Sequence, residues 1–378
     1  MDYFIAIDPM YKNTYWCNQY IKGIENEALQ NNKTIQEINA NDLLHPHNTP
    51  YDFSSSIIML LSNSRSWLPL FSEIAIRLGM RVVVVAPFID LDSSNVSNVC
   101  ADLPAMVRSV CNYMTFHHKN RVALFGYLPE SSNDVVKKKT FESYYEGRDN
   151  CKIFINYGNL EEACETIFQE ISLFDAVLCC NDIVAIRLSQ YLIQHGIKIP
   201  EDLWMCAIGD ATITKFLHPS ITTVMLDCIS IGRQALQLCI ALEKASIISC
   251  LHATVIGHIE IRESTGYAVL NSNKEEVPLS CKNAEIQKFY SDASVKRIFD
   301  LNMLISHCDL IDLKILHGIR HGLRYHEMAA SLFVSESTIK YRIKKMEGFC
   351  NRDSRTEIVS LVESFFSLDQ LIQDFATR

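Results

Sequence analysis

An α/β fold built on parallel sheets, followed by an all-helical C-terminal domain, is what this sequence predicts. Three observations carry that expectation. Over the first 270 residues, short β-rich apolar runs alternate with helical patterns. The runs are continuously apolar, and after Tyr267 a polar, turn-rich stretch gives way to helices alone. Strands apolar on both sides need helices over both faces, which is how parallel sheets are covered.

The strand-like runs are Tyr3–Ile7, Ser56–Leu61, Arg81–Ala86, Arg121–Gly126, Lys152–Ile155, Ala176–Cys180 and Trp204–Ile208. Between them Trp16–Gln30, Leu68–Leu78, Ala105–Phe116, Glu161–Ile171 and Ile183–His195 read as helices. Ligands of such sheets bind beyond the carboxyl ends of the strands. Asn271-Ser-Asn-Lys-Glu-Glu-Val-Pro278 reads as a linker, 281–308 as a connecting helical segment, and the last seventy residues as helices. The expected division is therefore 1–270, 271–308 and 309–378.

The 378 residues are 48% hydrophobic and 21% charged, an ordinary globular balance with ample material for a core. The opening Met1-Asp2-Tyr3-Phe4-Ile5-Ala6-Ile7 has no basic leader, and no apolar run reaches membrane-spanning length, so a cytoplasmic protein without membrane contact is expected. The fourteen Cys include no C-x-x-C pair and fit reduced, core-filling thiols, with a redox-sensing thiol as the alternative. His45-Pro-His47 and His117-His118 lack a Cys or carboxylate at ligand spacing, so no metal or other cofactor is expected. With no visible nucleophile–base pair or phosphate-binding Gly loop, an enzyme is not expected either.

The clearest functional signal lies near the C-terminus. Ser335 is a natural N-cap, and Ile339, Ile343 and Met346 recur at helical spacing toward a small core. Lys340, Tyr341, Lys344 and Lys345 fall on the opposite side, with Arg342 on the flank. Between 314 and 346 there are seven Lys/Arg against two Glu, in a chain of formal net charge −9. A polyanion needs only a local positive face. A solvated, Lys-rich structural helix is the plainer alternative.

Six motifs in register resemble the effector-binding domain of the lactose/galactose repressor family, itself similar to periplasmic sugar-binding proteins. They are Asn181-Asp182, His195-Gly-Ile-Lys-Ile-Pro-Glu-Asp-Leu-Trp204, Ala207-Ile-Gly-Asp210, His218-Pro-Ser-Ile-Thr-Thr-Val224, Ile231-Gly-Arg-Gln-Ala235 and Ile261-Arg-Glu-Ser-Thr-Gly266. The resemblance implies that 1–270 is a sensor of two α/β subdomains, with crossovers near 118, 224 and 254 and a small polar, sugar-like effector in the cleft. By resemblance Asn181, Asp182 and Asp210 contact that ligand, although Asp182 reads equally well as a helix cap. Ala207 stands where the family has Gly, and Lys137 where it has Arg; Lys137 supplies a charge without a planar fork, or belongs to a solvated Lys run. Tyr11, Tyr15 and Trp16 stack on a sugar ring or pack a core.

The family carries its DNA-binding module before the sensor, whereas this chain opens on the first sensor strand. Its tail instead resembles the LuxR-type helix-turn-helix, from Leu310–Gly318 through His321-Gly-Leu-Arg-Tyr-His-Glu-Met-Ala329 and Leu332-Phe-Val-Ser-Glu-Ser-Thr-Ile-Lys340 to Asn351-Arg…Thr356-Glu-Ile-Val359. That resemblance implies base contacts from Lys340, Tyr341 and Lys344 and phosphate contacts from Ser335, Ser337, Thr338 and Arg342, with Lys345 beside them. The expectation is a one-component transcription regulator acting on operator DNA as a homodimer, with 281–308 coupling its halves. A sensor reduced to an interaction module, or a solute-binding protein, are the alternatives.

Overall fold

The computed structural model describes residues 3–87, 95–147, 151–245, 247–267, 292–350, 352 and 354–377. The described residues fall into two compact units, one formed by 3–210 and 222–267, the other by 211–221 and 292–377.

The first unit contains two six-stranded sheets. In the first sheet β11 (His252–Val255), β5 (Val96–Ala101), β4 (Arg81–Val84), β3 (Ile57–Leu61), β1 (Tyr3–Ile7) and β2 (Ile35–Ile38) lie side by side, all parallel. In the second the order is β12 (Ile259–Glu260), β10 (Thr222–Met225), β9 (Trp204–Gly209), β8 (Ala176–Cys179), β6 (Val122–Tyr127) and β7 (Lys152–Ile155), parallel except for β12. Every residue of β1, β3, β6 and β8 is buried, which explains their uninterrupted apolar sequence.

Helices fill the connections: α1 (Tyr15–Gln30), α2 (Ala40–Leu44), α3 (Trp67–Arg77), α4 (Leu103–Phe116), α5 (Ser132–Tyr144), α6 (Leu160–Phe168), α7 (Asp182–Gln194) and α8 (Cys228–Lys244). The helix α4 packs on α5, β9 and β12, so it belongs to the second sheet. The first crossover therefore falls at Asp102, which caps α4 through the Ala105 N–H (3.0 Å), and not near 118. The chain returns between β10 and α8 and crosses a third time between β11 and β12. Where α1 crosses α8 the backbones touch: a Cβ on Gly23 would drive into the Ile229 carbonyl, and one on Gly232 into the Tyr20 carbonyl.

The second unit is helical: α9 (Ala293–His307), α10 (Leu310–Arg320), α11 (Tyr325–Leu332), α12 (Glu336–Cys350), α13 (Arg355–Glu363) and α14 (Leu368–Ala376). The expected connecting segment is corrected here. Its described part, α9, buries Val295, Ile298, Leu301 and Ile305 and packs on α12 and α13 within this unit. Ile286, Phe289, Tyr290 and the expected linker lie outside the described residues. Segment 211–221 also packs here: Ile213 is fully buried and its N–H donates to buried Asn302 Oδ1 (3.2 Å), while Phe216 stacks on Phe375 with centroids 4.9 Å apart.

Candidate ligand cleft and DNA-binding helix

Loops at the carboxyl ends of both sheets of the first unit enclose a cavity. From the first sheet's side come Tyr11, Trp16 and Tyr20, held by the loop after β1 and by α1, together with Asn63 after β3. From the second come Asn133, Asp134, Lys137 and Asn181. The enclosed volume is about 50 Å³. That exceeds the roughly 10–15 Å³ a cavity needs to hold one water. The walls touch: Ser64 and Ser131 form a β-bridge, Ser132 N–H donates to the Asn63 carbonyl (2.8 Å) and Arg65 N–H to the Glu130 carbonyl (3.1 Å). The Glu130 carboxylate also accepts from the Ser66 N–H (3.1 Å).

Of the sequence candidates, Tyr11, Trp16, Lys137 and Asn181 line this cavity, and Tyr15, Asp182 and Asp210 do not. Lys137 is buried, its Nζ 2.8 Å from Asp134 Oδ1 and 2.6 Å from the Cys180 carbonyl oxygen. It is a buried ion pair in the cavity wall and no part of a solvated Lys run. Burial pushes the Asp134 carboxyl up, against the pull of Lys137. Asn181, expected as a ligand contact, also caps α7 by accepting from the Val184 N–H (3.1 Å). Asp182, expected either as a ligand contact or as the helix cap, is fully buried against Gly209, where any Cβ would collide with its carboxylate.

Asp210 departs furthest from expectation. It sits at φ +66° and pairs with Arg262, from the last resemblance motif, while Thr223 Oγ1 donates to it (3.0 Å). Neutralised there, it braces the edge of the second sheet. Tyr20, Asn63, Asn133 and Asp134 were not singled out from sequence. Two had readable signals: Tyr20 lies four residues beyond Trp16 on one helix face, and Asp134 three before Lys137.

The second candidate site is α12. Ser335 Oγ accepts from the Thr338 N–H (3.1 Å) and lies 2.7 Å from Ser337 Oγ and 2.8 Å from Thr338 Oγ1. Three hydroxyls thus cluster at the helix N-terminus. Ile339, Ile343, Met346 and Cys350 are buried, while Ser337, Lys340, Tyr341, Lys344 and Lys345 are exposed. Phe333 closes α11 at φ +56°, in the left-handed region, and supplies the turn that a Gly more often makes. Lys340 lies over the Tyr325 ring and Lys345 over Phe349.

Arg342 is not on the exposed face. Its Nη1 bonds Asp309 Oδ2 (2.9 Å) and Asp312 Oδ1 (2.8 Å), and Asp312 is buried. Asp309 and Asp312 form the capping box of α10, so Arg342 ties that helix start to α12. Burial alone would raise the Asp309 carboxyl; the Asp312 N–H and the Arg342 guanidinium hold it below its ordinary value. Arg320 is likewise engaged, with Glu363 (2.8 Å) and Asp369 (3.0 Å). The basic face is therefore narrower than the sequence count suggested.

Residues 119–265 match the family model for the periplasmic binding protein-like domain. The first unit has a periplasmic-binding-protein-like fold. Solved structures agree on its fold. A cellobiose complex of the transcriptional regulator CelR matches with TM-score 0.60 at 15% identity, over 70% of this chain and 84% of that one. The CCPA regulator of the LacI family from Weissella paramesenteroides, with bound sucrose, matches with TM-score 0.56 at 18% identity, over 70% of this chain and 98% of that one. Among curated proteins, the PurR repressor of Haemophilus influenzae is 25% identical over 30% of this chain and 37% of its own length. The GalR regulator of Streptococcus thermophilus is 24% identical over 40% and 50%. The chain thus spans between a third and a half of these curated relatives. No helix among the described residues is long and apolar enough to cross a membrane.

Proposed function

We propose that the chain is a one-component transcription regulator, with a periplasmic-binding-protein-like sensor domain and a LuxR-type DNA-binding unit at its C-terminal side. The observation that carries the reading is α12: a Ser-capped helix with an Ile339/Ile343/Met346 stripe buried and Lys340, Tyr341 and Lys344 exposed on one face. The LacI-type likeness of the sensor supports the same role. In this reading Lys340, Tyr341 and Lys344 meet base edges, the hydroxyls of Ser335, Ser337 and Thr338 hold phosphates, and the protein acts as a cytoplasmic homodimer on two half-sites. The effector is a small, polar, sugar-like molecule that stacks on Tyr11 and Trp16 and bonds Asn181.

Coupling follows from the chain itself. Segment 211–221 leaves β9 after Asp210, packs beside α9, and re-enters β10 at Thr222. In this reading a shift of Asp210 or Thr222 on effector binding passes along the backbone to Ile213 and Asn302.

The test is binding of the full chain to DNA enriched from a random duplex pool, across a salt series. Replacing Lys340 or Lys344 by Ala should cost about 1–3 kcal/mol on the enriched duplex and less on random sequence. Unchanged binding in both variants would remove α12 as the reader. A second reading, an interaction module with no effector, is favoured by the 50 Å³ cavity, its joined walls and the internal pairing of Lys137. Under that reading no small metabolite raises the melting temperature of the chain.

A further inference from the structure

Away from the cleft, at the edge of the first sheet, three side chains line up as thiol, imidazole and amide. Cys250 Sγ lies 3.5 Å from His252 Nε2, and His252 Nδ1 lies 3.1 Å from Asn98 Oδ1. Cys250 and His252 are two residues apart at the start of edge strand β11, and His252 is in register with Asn98 on β5. That register places the imidazole between the other two.

The hydrogen-bond network fixes the tautomer. Asn98 is buried, and its Nδ2 donates to the Ala86 carbonyl (2.9 Å), so its Oδ1 must be the atom that faces His252. Oδ1 can only accept, so Nδ1 of the neutral imidazole carries the proton. Nε2 then presents its lone pair to the Cys250 thiol. Ser249 Oγ, 3.8 Å from Sγ, is a second donor for the sulfur once it has lost its proton.

We propose that Cys250 is a reactive thiol oxidised by small hydroperoxides, with His252 as its base and Asn98 as the residue that orients His252. The thiol gives its proton to Nε2, and the thiolate attacks one oxygen of the peroxide. An S–O bond forms and the O–O bond breaks; sulfur is oxidised by two electrons and the peroxide is reduced. The proton held on His252 passes to the departing hydroxide, so thiol and hydrogen peroxide give sulfenic acid and water. That return of a proton makes a hydroperoxide a better match than an alkylating electrophile, whose leaving group needs none. Cys250 is partly exposed, so a small oxidant reaches it. Burial, by contrast, pushes the thiols of Cys17, Cys100 and Cys164 up to about 12, which keeps them protonated near neutrality.

The experiment treats the reduced full chain with hydrogen peroxide, traps sulfenic acid with dimedone, and maps adducts by peptide mass spectrometry over time. Cys151 is the internal reference: it is also partly exposed, but its thiol faces the Asn120 carbonyl (3.8 Å), which takes no proton. Cys250 should label about a hundredfold faster than Cys151 or more, the lower reach of general-base assistance. His252→Gln, at an exposed position, should remove that advantage and move the pH–rate profile of Cys250 upward. Asn98→Asp, which keeps an acceptor for Nδ1, should retain it, and Asn98→Leu should lose it while Cys151 labels as before. Equal labelling of Cys250 and Cys151, or a His252→Gln chain with the parent's rate and pH profile, would overturn the proposal.

Discussion

Arg342→Ala separates a structural from a DNA-contacting role at one position. The guanidinium is about a quarter exposed and the Asp312 side chain 6% exposed, while Asp309 is 55% exposed. The Asp309 contact is therefore worth under about 1 kcal/mol. Removing the partner of a buried carboxylate costs about 3–5 kcal/mol. Asp312 keeps the Asp309 N–H on its other oxygen (3.1 Å), so the lower end, about 3 kcal/mol, is expected. For a domain of this size that lowers the melting temperature of the helical unit by roughly 10–20 °C. Pairing the change with Asp312→Asn should recover much of the loss, because the stranded charge is gone. The assay is thermal unfolding of the full chain by circular dichroism, beside a salt series of DNA binding below the variant's transition. A variant that melts with the parent, yet shows a salt slope shallower by about one, would refute the reasoning and return Arg342 to the phosphate face.

Two further predictions concern stability. Gly23→Ala forces a methyl into the Ile229 carbonyl at the α1–α8 crossing. It should cost about 2–3 kcal/mol in urea unfolding, and a change below about 0.5 kcal/mol would show that the helices separate freely. Burial raises the Asp300 carboxyl from 3.8 to about 6, although Arg352 lies 2.9 Å away. Between those values the folded state binds the extra proton, so this group's contribution to stability falls as pH rises through that window. Asp300→Asn should flatten that part of the profile; a parent-minus-variant difference that stays constant from about pH 4 to about pH 7 contradicts it.

What was legible in the sequence was whatever had one dominant physical cause. The continuous apolar runs of β1, β3, β6 and β8 admit few readings, and the Ser335 cap with its Ile/Ile/Met stripe is a local pattern resolved within fifteen residues. By contrast β5 is interrupted by Ser97 and Asn98, both buried: Ser97 Oγ accepts from the Leu251 N–H (2.9 Å) and Asn98 donates to Ala86. Those polar residues look like a turn until their distant partners are known. Short β2, with Gln36 and Glu37 exposed, and edge strand β11, with alternate exposure, carry too little apolar pattern to stand out.

Two of the candidate site residues, Asp210 and Arg342, are engaged elsewhere for one reason, which is charge pairing across sequence distance. Asp210 and Arg262 are fifty-two residues apart, and Arg342 and Asp312 thirty. Each charged residue, read alone, is available to a ligand or a phosphate, and only the fold reveals the partner that neutralises it. Lys137 and Asp134 are the instructive exception, because their spacing of three on a helix puts the pairing within reach of the sequence. Insertion of 211–221 into the helical unit follows the same logic. Ile213 and Ile221 look like ordinary core residues of an α/β domain, yet Ile213 is buried beside Asn302 in the other unit. A boundary drawn by composition near residue 270 therefore misses a strap that leaves the second sheet immediately after Asp210. In the regulator proposed above, that strap is a covalent route from the second sheet of the sensor to the helical unit.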